Sequence, residues 1–380
     1  MLGVGGASTT LARWTPRDPV ATALDIGTGC GIQAFHLATH ARAVTATDTS
    51  RRCLRVTRLN AALNAAVEDG PFTGRSLDLR GGSLLAPVAG RRFDLVVSNP
   101  PYVITPRQPV GVAAGYTYRD GGLVGDQIVQ RLVEGVGAVL TDGGTAQLLG
   151  NWEHHRGEDW RDRVGAWLEA SGLHGWVAQR EVQDPAEYAE TWARDGGHAP
   201  GTAEHEGMYA AWLADFAARG VEAVGFGVIT LRRPADGAAG PRVRRVEELP
   251  GPTADAMGGT AAAVLAAEEW LLAVSDQDLA AARLVVADDV TEERFGRPGA
   301  EDPQVIRLTQ GGGLRRSVRA DTALAAVVGA CDGELVLGAL TAAVADLLDE
   351  GPGELAARVL PAVRRLVANG LLLPVQPQAS

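Results

Sequence analysis

The segment Phe93-Asp94-Leu95-Val96-Val97-Ser98-Asn99-Pro100-Pro101-Tyr102 is an apolar run that stops at an amide side chain, two prolines and an aromatic ring. Asn99 offers a side-chain carbonyl and Pro100 a main-chain carbonyl. Pro101 has no N–H and a fixed φ, so it stiffens the turn that presents both acceptors. Tyr102 adds a flat face for stacking. Such a turn suits a planar group that carries N–H donors. Without a function, the same residues are a strand followed by a proline-rich stop.

A second constellation lies upstream. Asp25-Ile26-Gly27-Thr28-Gly29-Cys30-Gly31 follows the strand pattern TALDI (22–26) and opens into the helical pattern IQAFHLATHA. Glycines there permit a tight strand-to-helix turn and a close backbone approach by a ligand. A dinucleotide fingerprint needs G-x-G-x-x-G, but position 32 is Ile and the third glycine is at 31, so a nicotinamide cofactor is disfavoured. The next strand ends at Asp48, where a carboxylate can accept two hydrogen bonds from ribose hydroxyls. The structural alternative for Asp48 is a cap on the helix that begins near Ser50.

With these motifs in this order, residues 20–150 resemble the class I S-adenosylmethionine-dependent methyltransferases of the amino-group type. That group includes adenine-N6, guanine-N2 and release-factor glutamine-N5 methyltransferases. The resemblance extends loosely over residues 1–233 and does not reach the C-terminal part. It implies methyl transfer to a planar nitrogen whose lone pair is delocalised. In-line attack on a sulfonium methyl builds positive charge on that nitrogen, so the acceptors on Asn99 and Pro100 gain strength as charge develops, while Tyr102 stacks on the planar group. The resemblance also implies S-adenosylmethionine as cofactor. Asp25, Gly27, Gly29 and Gly31 would surround its amino acid and sulfur, Asp48 its ribose, and Ser83 and Leu84 its adenine, with Asn99 touching both cofactor and acceptor. Many relatives carry an acidic residue where this chain has Ser83.

Further residues are candidates for the acceptor side. Arg119 and Asp120, in Tyr118-Arg119-Asp120-Gly121-Gly122-Leu123, either contact substrate or order their own loop as an ion pair. Trp152, beside Asn151, His154 and His155, sits just past the strand pattern at 145–150, at the same expected edge. Adjacent histidines lack the i, i+4 spacing of a zinc pair, and no metal is expected. Near the N-terminus, Ser8 and Thr9 either cap a helix or close over the cofactor.

These residues need a scaffold of alternating strands and helices, and the chain supplies one. Strand patterns occur at 22–26, 43–47, 76–81, 93–98, 145–150, 175–182 and 223–231. They predict a doubly wound, seven-stranded, Rossmann-like α/β domain over residues 1–233, with a parallel sheet and crossover helices. A long connection before the last strand carries Tyr188, Trp192, Tyr209, Trp212 and Phe216, which either seat two helices or line a pocket. The stretch RRPADGAAGPRVRRVEELPGP reads as a linker. Residues 234–380 read as a mainly helical accessory domain compatible with a winged-helix arrangement.

Composition bounds the rest. The 380 residues are 46% apolar, enough for a full core and against intrinsic disorder. No apolar run approaches a membrane span and no signal peptide is evident, so a cytoplasmic protein without membrane contact is expected. Cys30, Cys53 and Cys331 fit a reducing compartment. Net charge is −11, with all 35 basic residues Arg, which disfavours broad nucleic-acid binding but leaves room for a local basic surface. The methyl acceptor stays open between a protein glutamine, a nucleobase and a small molecule or peptide. The helical recognition domain of release-factor enzymes has no counterpart ahead of the glycine turn. The rival function is a cofactor-binding regulatory or scaffold module without turnover.

Overall fold

The computed structural model describes residues 5–65, 72, 74–106, 123–235, 240–299 and 303–375. The chain divides into two compact units, Met1–Gly251 and Pro252–Ser380. The first runs α1 (Gly6–Trp14), β1 (Val20–Ile26), α2 (Ile32–Leu37), β2 (Ala41–Asp48), α3 (Arg51–Ala65), β3 (Ser76–Gly81), β4 (Phe93–Ser98), α4 (Gln127–Gly135), β5 (Leu140–His155), α5 (Trp160–Ser171), β6 (His174–Gln183), α6 (Pro185–Asp195), α7 (Ala203–Arg219), β7 (Val221–Arg232) and β8 (Arg244–Glu248).

The sheet order is β3-β2-β1-β4-β5-β7-β6-β8. Strands β1 to β5 pair in parallel. β1 and β4 lie in the middle with helices over them, which is why their sequences are nearly unbroken apolar runs. The core of this unit gathers Leu24, Phe93, Val96, Leu132, Leu148, Trp152 and Trp167.

Two expectations need correction. The sheet is mixed, because β7 runs antiparallel to both β5 and β6. The connection through α6 and α7 starts and finishes at the carboxyl end of β6, so the chain turns back without crossing the sheet. The sheet also has an eighth strand. β8, in the stretch read as a linker, pairs in parallel with β6 from Gly175↔Arg244 to Gln179↔Glu248. The Trp176 indole N–H donates to Glu247 at 2.9 Å and the Arg180 guanidinium donates to the carbonyls of Leu249 and Gly251. The first unit therefore closes at Gly251 and not at residue 233.

The second unit runs α8 (Gly258–Ala273), α9 (Asp276–Ala281), β9 (Arg283–Val286), β10 (Val290–Phe295), β11 (Val305–Gln310), β12 (Ser317–Ala320), α10 (Thr322–Gly329), β13 (Asp332–Val336), α11 (Leu337–Leu347), α12 (Pro352–Ala368) and β14 (Leu372–Pro374). The expected helices are present, with two small antiparallel sheets, β10-β11-β12 and β13-β9-β14, that the mainly helical reading passed over. α10, β13, α11, α12 and β14 keep the helix, strand, helix, helix, strand order of a winged helix, and β9 fills the place between β13 and β14. α12 buries Leu355, Val359, Val363, Leu366 and Val367, a 3.6-residue stripe.

A fragment of residues 1–251 is expected to fold without the second unit, whereas one ending at residue 233 loses β8, exposes the edge of β6 and opens the Trp176 and Arg180 contacts. Circular dichroism and thermal unfolding of the two fragments check this: equal cooperativity would mean β8 contributes nothing to the sheet's integrity.

Candidate active site

β1 is flanked by β2 on one side and β4 on the other, and at that point the winding reverses. In open α/β sheets this leaves a crevice at the carboxyl ends of the strands. Register fixes what lines it. Ile26 pairs with Thr47 and with Ser98, and Asp48 pairs with Gly81. The glycine turn, Asp48, the turn after Gly81 and Asn99 thus leave the sheet at one edge. The buried Ser98 hydroxyl donates to the Ile26 carbonyl at 2.9 Å and holds β4 against β1 there.

The glycine turn is braced from two sides. Gly27, Gly29 and Gly31 have φ of +75°, +60° and +94°, a region in which other residues are strained. A Cβ on Gly29 would meet nothing within 4 Å, so the space above it is open to a ligand, whereas one on Gly31 would strike Phe35 and Thr57. The Asp48 carboxylate accepts the Gly29 N–H at 3.0 Å through Oδ2 and the Ser50 N–H at 2.7 Å through Oδ1. Each oxygen keeps an acceptor direction, enough for a ribose diol. Ser50 itself caps α3, accepting the Cys53 N–H at 3.3 Å. From α3, Thr57 donates to the Gly29 carbonyl at 3.1 Å and Asn60 to the Cys30 carbonyl at 2.9 Å. Neither residue stands out in the sequence, because each is a polar position on a helix that reads as solvated.

Asp25 is 1% exposed, and its carboxylate accepts the Ala34 N–H at 3.1 Å, which ties α2 to β1. Burial pushes its pKa up to about 7, against the Thr28 hydroxyl and the Ala34 amide, which favour the charged form, and with the charge of Asp48, which opposes it. Ser83 is exposed and its carbonyl accepts the Ala86 N–H at 3.1 Å. Leu84 takes φ of +48°, a strained value for leucine, and packs with Tyr102 on the main core. Neither Ser8 nor Thr9 caps α1: Gly5 is the N-cap residue, and the Ser8 carbonyl accepts from Gln33 at 2.8 Å, docking α1 on α2.

At the end of β4, Asn99 is half-buried and its carboxamide makes no hydrogen bond among the described residues. The Pro100 carbonyl accepts the Tyr102 N–H at 2.8 Å in a tight turn, which leaves its second lone pair. The Tyr102 hydroxyl titrates above its ordinary range, through burial and the charge of Glu181. Two residues further on, both backbone groups of Ile104 are clamped. Its N–H donates to the Tyr188 hydroxyl at 2.8 Å, and its carbonyl accepts the Trp212 indole N–H at 2.7 Å. Asn151 also donates to Tyr188, at 3.3 Å. Tyr188, Trp212 and Phe216 are buried around Ile104, so these aromatics seat α6 and α7 and pin the exit of the Asn-Pro-Pro-Tyr turn.

Arg119 and Asp120 lie outside the described residues. Trp152 is fully buried, stacked on Trp160 with its N–H on Gln179 at 2.7 Å. His154 bonds Gln179 at 2.8 Å and His155 faces Glu153 at 3.1 Å, so the two rings point to different partners. Beside them lies an ion cluster that sequence reasoning missed. Buried Asp126 takes both arms of Arg163 and the Glu153 N–H, and buried Glu153 pairs with Arg219. Burial raises the Glu153 pKa, with Arg219 opposing the shift.

Strand order, glycine turn, Asp48 and the Asn-Pro-Pro-Tyr turn together give the first unit a Rossmann-like methyltransferase fold. Residues 3–114 match the family described as "Methyltransferase small domain", and residues 262–374 match one described as "Domain of unknown function (DUF7782)". The chain is 29% identical over 169 residues to the ribosomal protein uL3 glutamine methyltransferase of Bradyrhizobium diazoefficiens, covering 42% of this chain and 51% of that protein. It is 44% identical over 84 residues to the release factor glutamine methyltransferase of Deinococcus radiodurans, covering 22% and 27%. The chain thus spans about half the length of the first relative and about a quarter of the second. The YcgJ protein of Bacillus subtilis overlays 60% of this chain and 99% of its own at 14% identity with a TM-score of 0.36. No helix among the described residues is long and apolar enough to cross a membrane.

Asp25 gives a pH test. A carboxyl whose pKa rises from 3.8 unfolded to about 7 folded makes its ionisation a cost. Its contribution to stability is full below about pH 4 and declines as pH rises to about 7. Asp25→Asn keeps an oxygen for the Ala34 N–H and removes the ionisation. The variant is expected to be more stable than the parent at pH 8, by roughly 1–3 kcal/mol, with a flatter profile between pH 4 and 7. Urea unfolding at pH 5 and pH 8 measures it. A variant less stable at pH 8 would show that the ionised carboxylate stabilises the fold.

Proposed function

We propose that this protein transfers a methyl group from S-adenosylmethionine to a planar amide or amine nitrogen, and that a glutamine side chain of a protein is the acceptor. The observation that carries the reaction class is the Asn99 carboxamide, unengaged among the described residues, at the same sheet edge as the braced glycine turn and Asp48. The acceptor is supported by the names of the two relatives, and by the match between a primary amide and the two acceptors at Asn99 and Pro100.

The residues present fit the cofactor. Gly27 and Gly29 leave open backbone, Asp48 has a spare acceptor direction on each oxygen for a ribose diol, and the turn at Ser83 and Leu84 stands beside the end of β3, where an adenine would lie. When bound, S-adenosylmethionine supplies an electrophilic sulfonium methyl. The chain's own residues do the rest. Asn99 Oδ1 and the Pro100 carbonyl accept the two N–H bonds of the acceptor nitrogen and orient its lone pair, and the Tyr102 ring holds the amide plane. The positive charge that would develop on the acceptor nitrogen during transfer would strengthen both hydrogen bonds, so Asn99 and Pro100 would favour the transition state over the bound substrate. A proton leaves the nitrogen afterwards, so no buried general base is required. Tyr188 and Trp212 act as positioning residues, fixing Ile104 so that the turn keeps its shape through the reaction.

Asn99→Ala should lower the single-turnover rate by about 10²- to 10³-fold, the scale for loss of one preorganised hydrogen-bond partner. Cofactor affinity by calorimetry should stay within a few-fold. Rapid quench with labelled cofactor and a glutamine-containing protein fraction measures both arms. A variant as fast as the parent on the true acceptor would remove Asn99 from the mechanism.

A further inference from the structure

Most arginines with described partners in this acidic protein are neutralised. Arg163 meets Asp126, Arg219 meets Glu153 and Asp215, Arg358 meets Glu350, and Arg364 meets Asp276. The last two lie on α12, the helix whose arginines would otherwise offer the second unit a basic face. α3 differs. Its sequence, RRCLRVTRLNAALNA, holds four arginines and no acidic residue. Arg51, Arg52, Arg55 and Arg58 are all exposed, and none has a carboxylate partner among the described residues. Arg51 and Arg52 open the helix, where the backbone dipole is itself positive, so their placement costs stability. Arg51, Arg55 and Arg58 stand at i, i+4 and i+7 on one face and, with Leu54, line an open cavity of about 350 Å³. They span about 10 Å of helix. The face is also immobile at its root, because Thr57 and Asn60 of the same helix bond the glycine-turn carbonyls.

We propose that this arginine face of α3 binds the phosphodiester backbone of a nucleic acid. A row of guanidinium forks around an open cavity matches successive phosphates, each of which accepts two parallel N–H bonds. Among the described residues the cavity lining holds no aromatic side chain and a single leucine, and so offers none of the buried anchors on which a protein partner would rest its binding energy. Recognition of this kind positions the protein and reads no sequence. It is compatible with the net charge of −11, because the acidic remainder prevents wide coating and leaves one local contact. The inference is independent of the methyl acceptor, and its readout involves no methyl transfer.

The test is fluorescence anisotropy of the full chain with labelled single-stranded RNA, duplex RNA and duplex DNA of about 20 nucleotides, titrated over a range of salt. Polyglutamate serves as the competing polyanion. Binding to at least one nucleic acid is expected, and the arm that binds identifies the source of the phosphates. For a single strand, each phosphate neutralised contributes about 0.7 to the slope of log affinity against log salt. The triple variant Arg51→Gln, Arg55→Gln, Arg58→Gln should therefore flatten the slope by about 2 and weaken binding at least about tenfold at low salt. The matching triple lysine variant should restore most of both. Circular dichroism and cofactor affinity should not change in either, since all three residues are exposed. The proposal fails if no nucleic acid binds, if the glutamine variant keeps the parent slope, or if polyglutamate alone competes for the face.

Discussion

The Asp48 carboxylate holds together one wall of the crevice. It sits at the last residue of β2, and its two oxygens take N–H groups from opposite directions, Gly29 in the turn after β1 and Ser50 at the start of α3. The turn contains three glycines at positive φ, so backbone entropy alone would let it wander. A charge-assisted hydrogen bond on the amide side, with Thr57 and Asn60 on the carbonyl side, removes that freedom without placing any side chain above Gly29. The turn is rigid and still open, which a loop closed by its own side chains could not be. The same carboxylate seats the first turn of α3, so the helix that braces the glycine turn also carries the arginine face at a fixed place relative to it.

The opposite wall is organised by a different economy. Asn99 and Pro100 must keep acceptors unspent, so the Asn-Pro-Pro-Tyr turn cannot be stabilised through them. Its rigidity comes instead from both ends. Behind it, Ser98 is bonded to β1. Ahead of it, Ile104 has its N–H and its carbonyl both satisfied by side chains of the insertion between β6 and β7. That insertion is available because β7 runs antiparallel, which keeps α6 and α7 at the carboxyl end of the sheet.

These two walls were legible in the sequence to different degrees. Gly27, Gly29, Gly31, Asp48 and Asn99 to Tyr102 declare themselves because each answers a local demand: positive φ, a charge at a strand end, a turn without a donor. The clamp on Ile104 does not, since Tyr188 and Trp212 lie 84 and 108 residues away and their spacing is equally that of aromatics seating two helices. Trp152 is the converse case: a tryptophan beside an asparagine just past a strand pattern reads as a binding residue, but its ring is stacked on Trp160 within the core. β8 was hidden by its Arg- and Pro-rich flanks, although its register on β6 gives Trp176 and Arg180 partners that no other segment supplies. β9 to β12 were hidden by shortness and by outward-facing polar residues, β10 being exposed along nearly all its length.

Charge shows the same contrast between average and arrangement. A net charge of −11 describes the far field, which repels polyanions and limits non-specific association. Within a Debye length of about 10 Å, the nearest residues dominate. Around α3 those are Arg51, Arg52, Arg55 and Arg58, with no acid on the helix to cancel them. A basic face on an acidic body attracts a polyanion at short range, where the arginines of α3 outweigh the far field. Because α3 is bonded to the glycine turn, whatever the face meets is held at one orientation to the crevice.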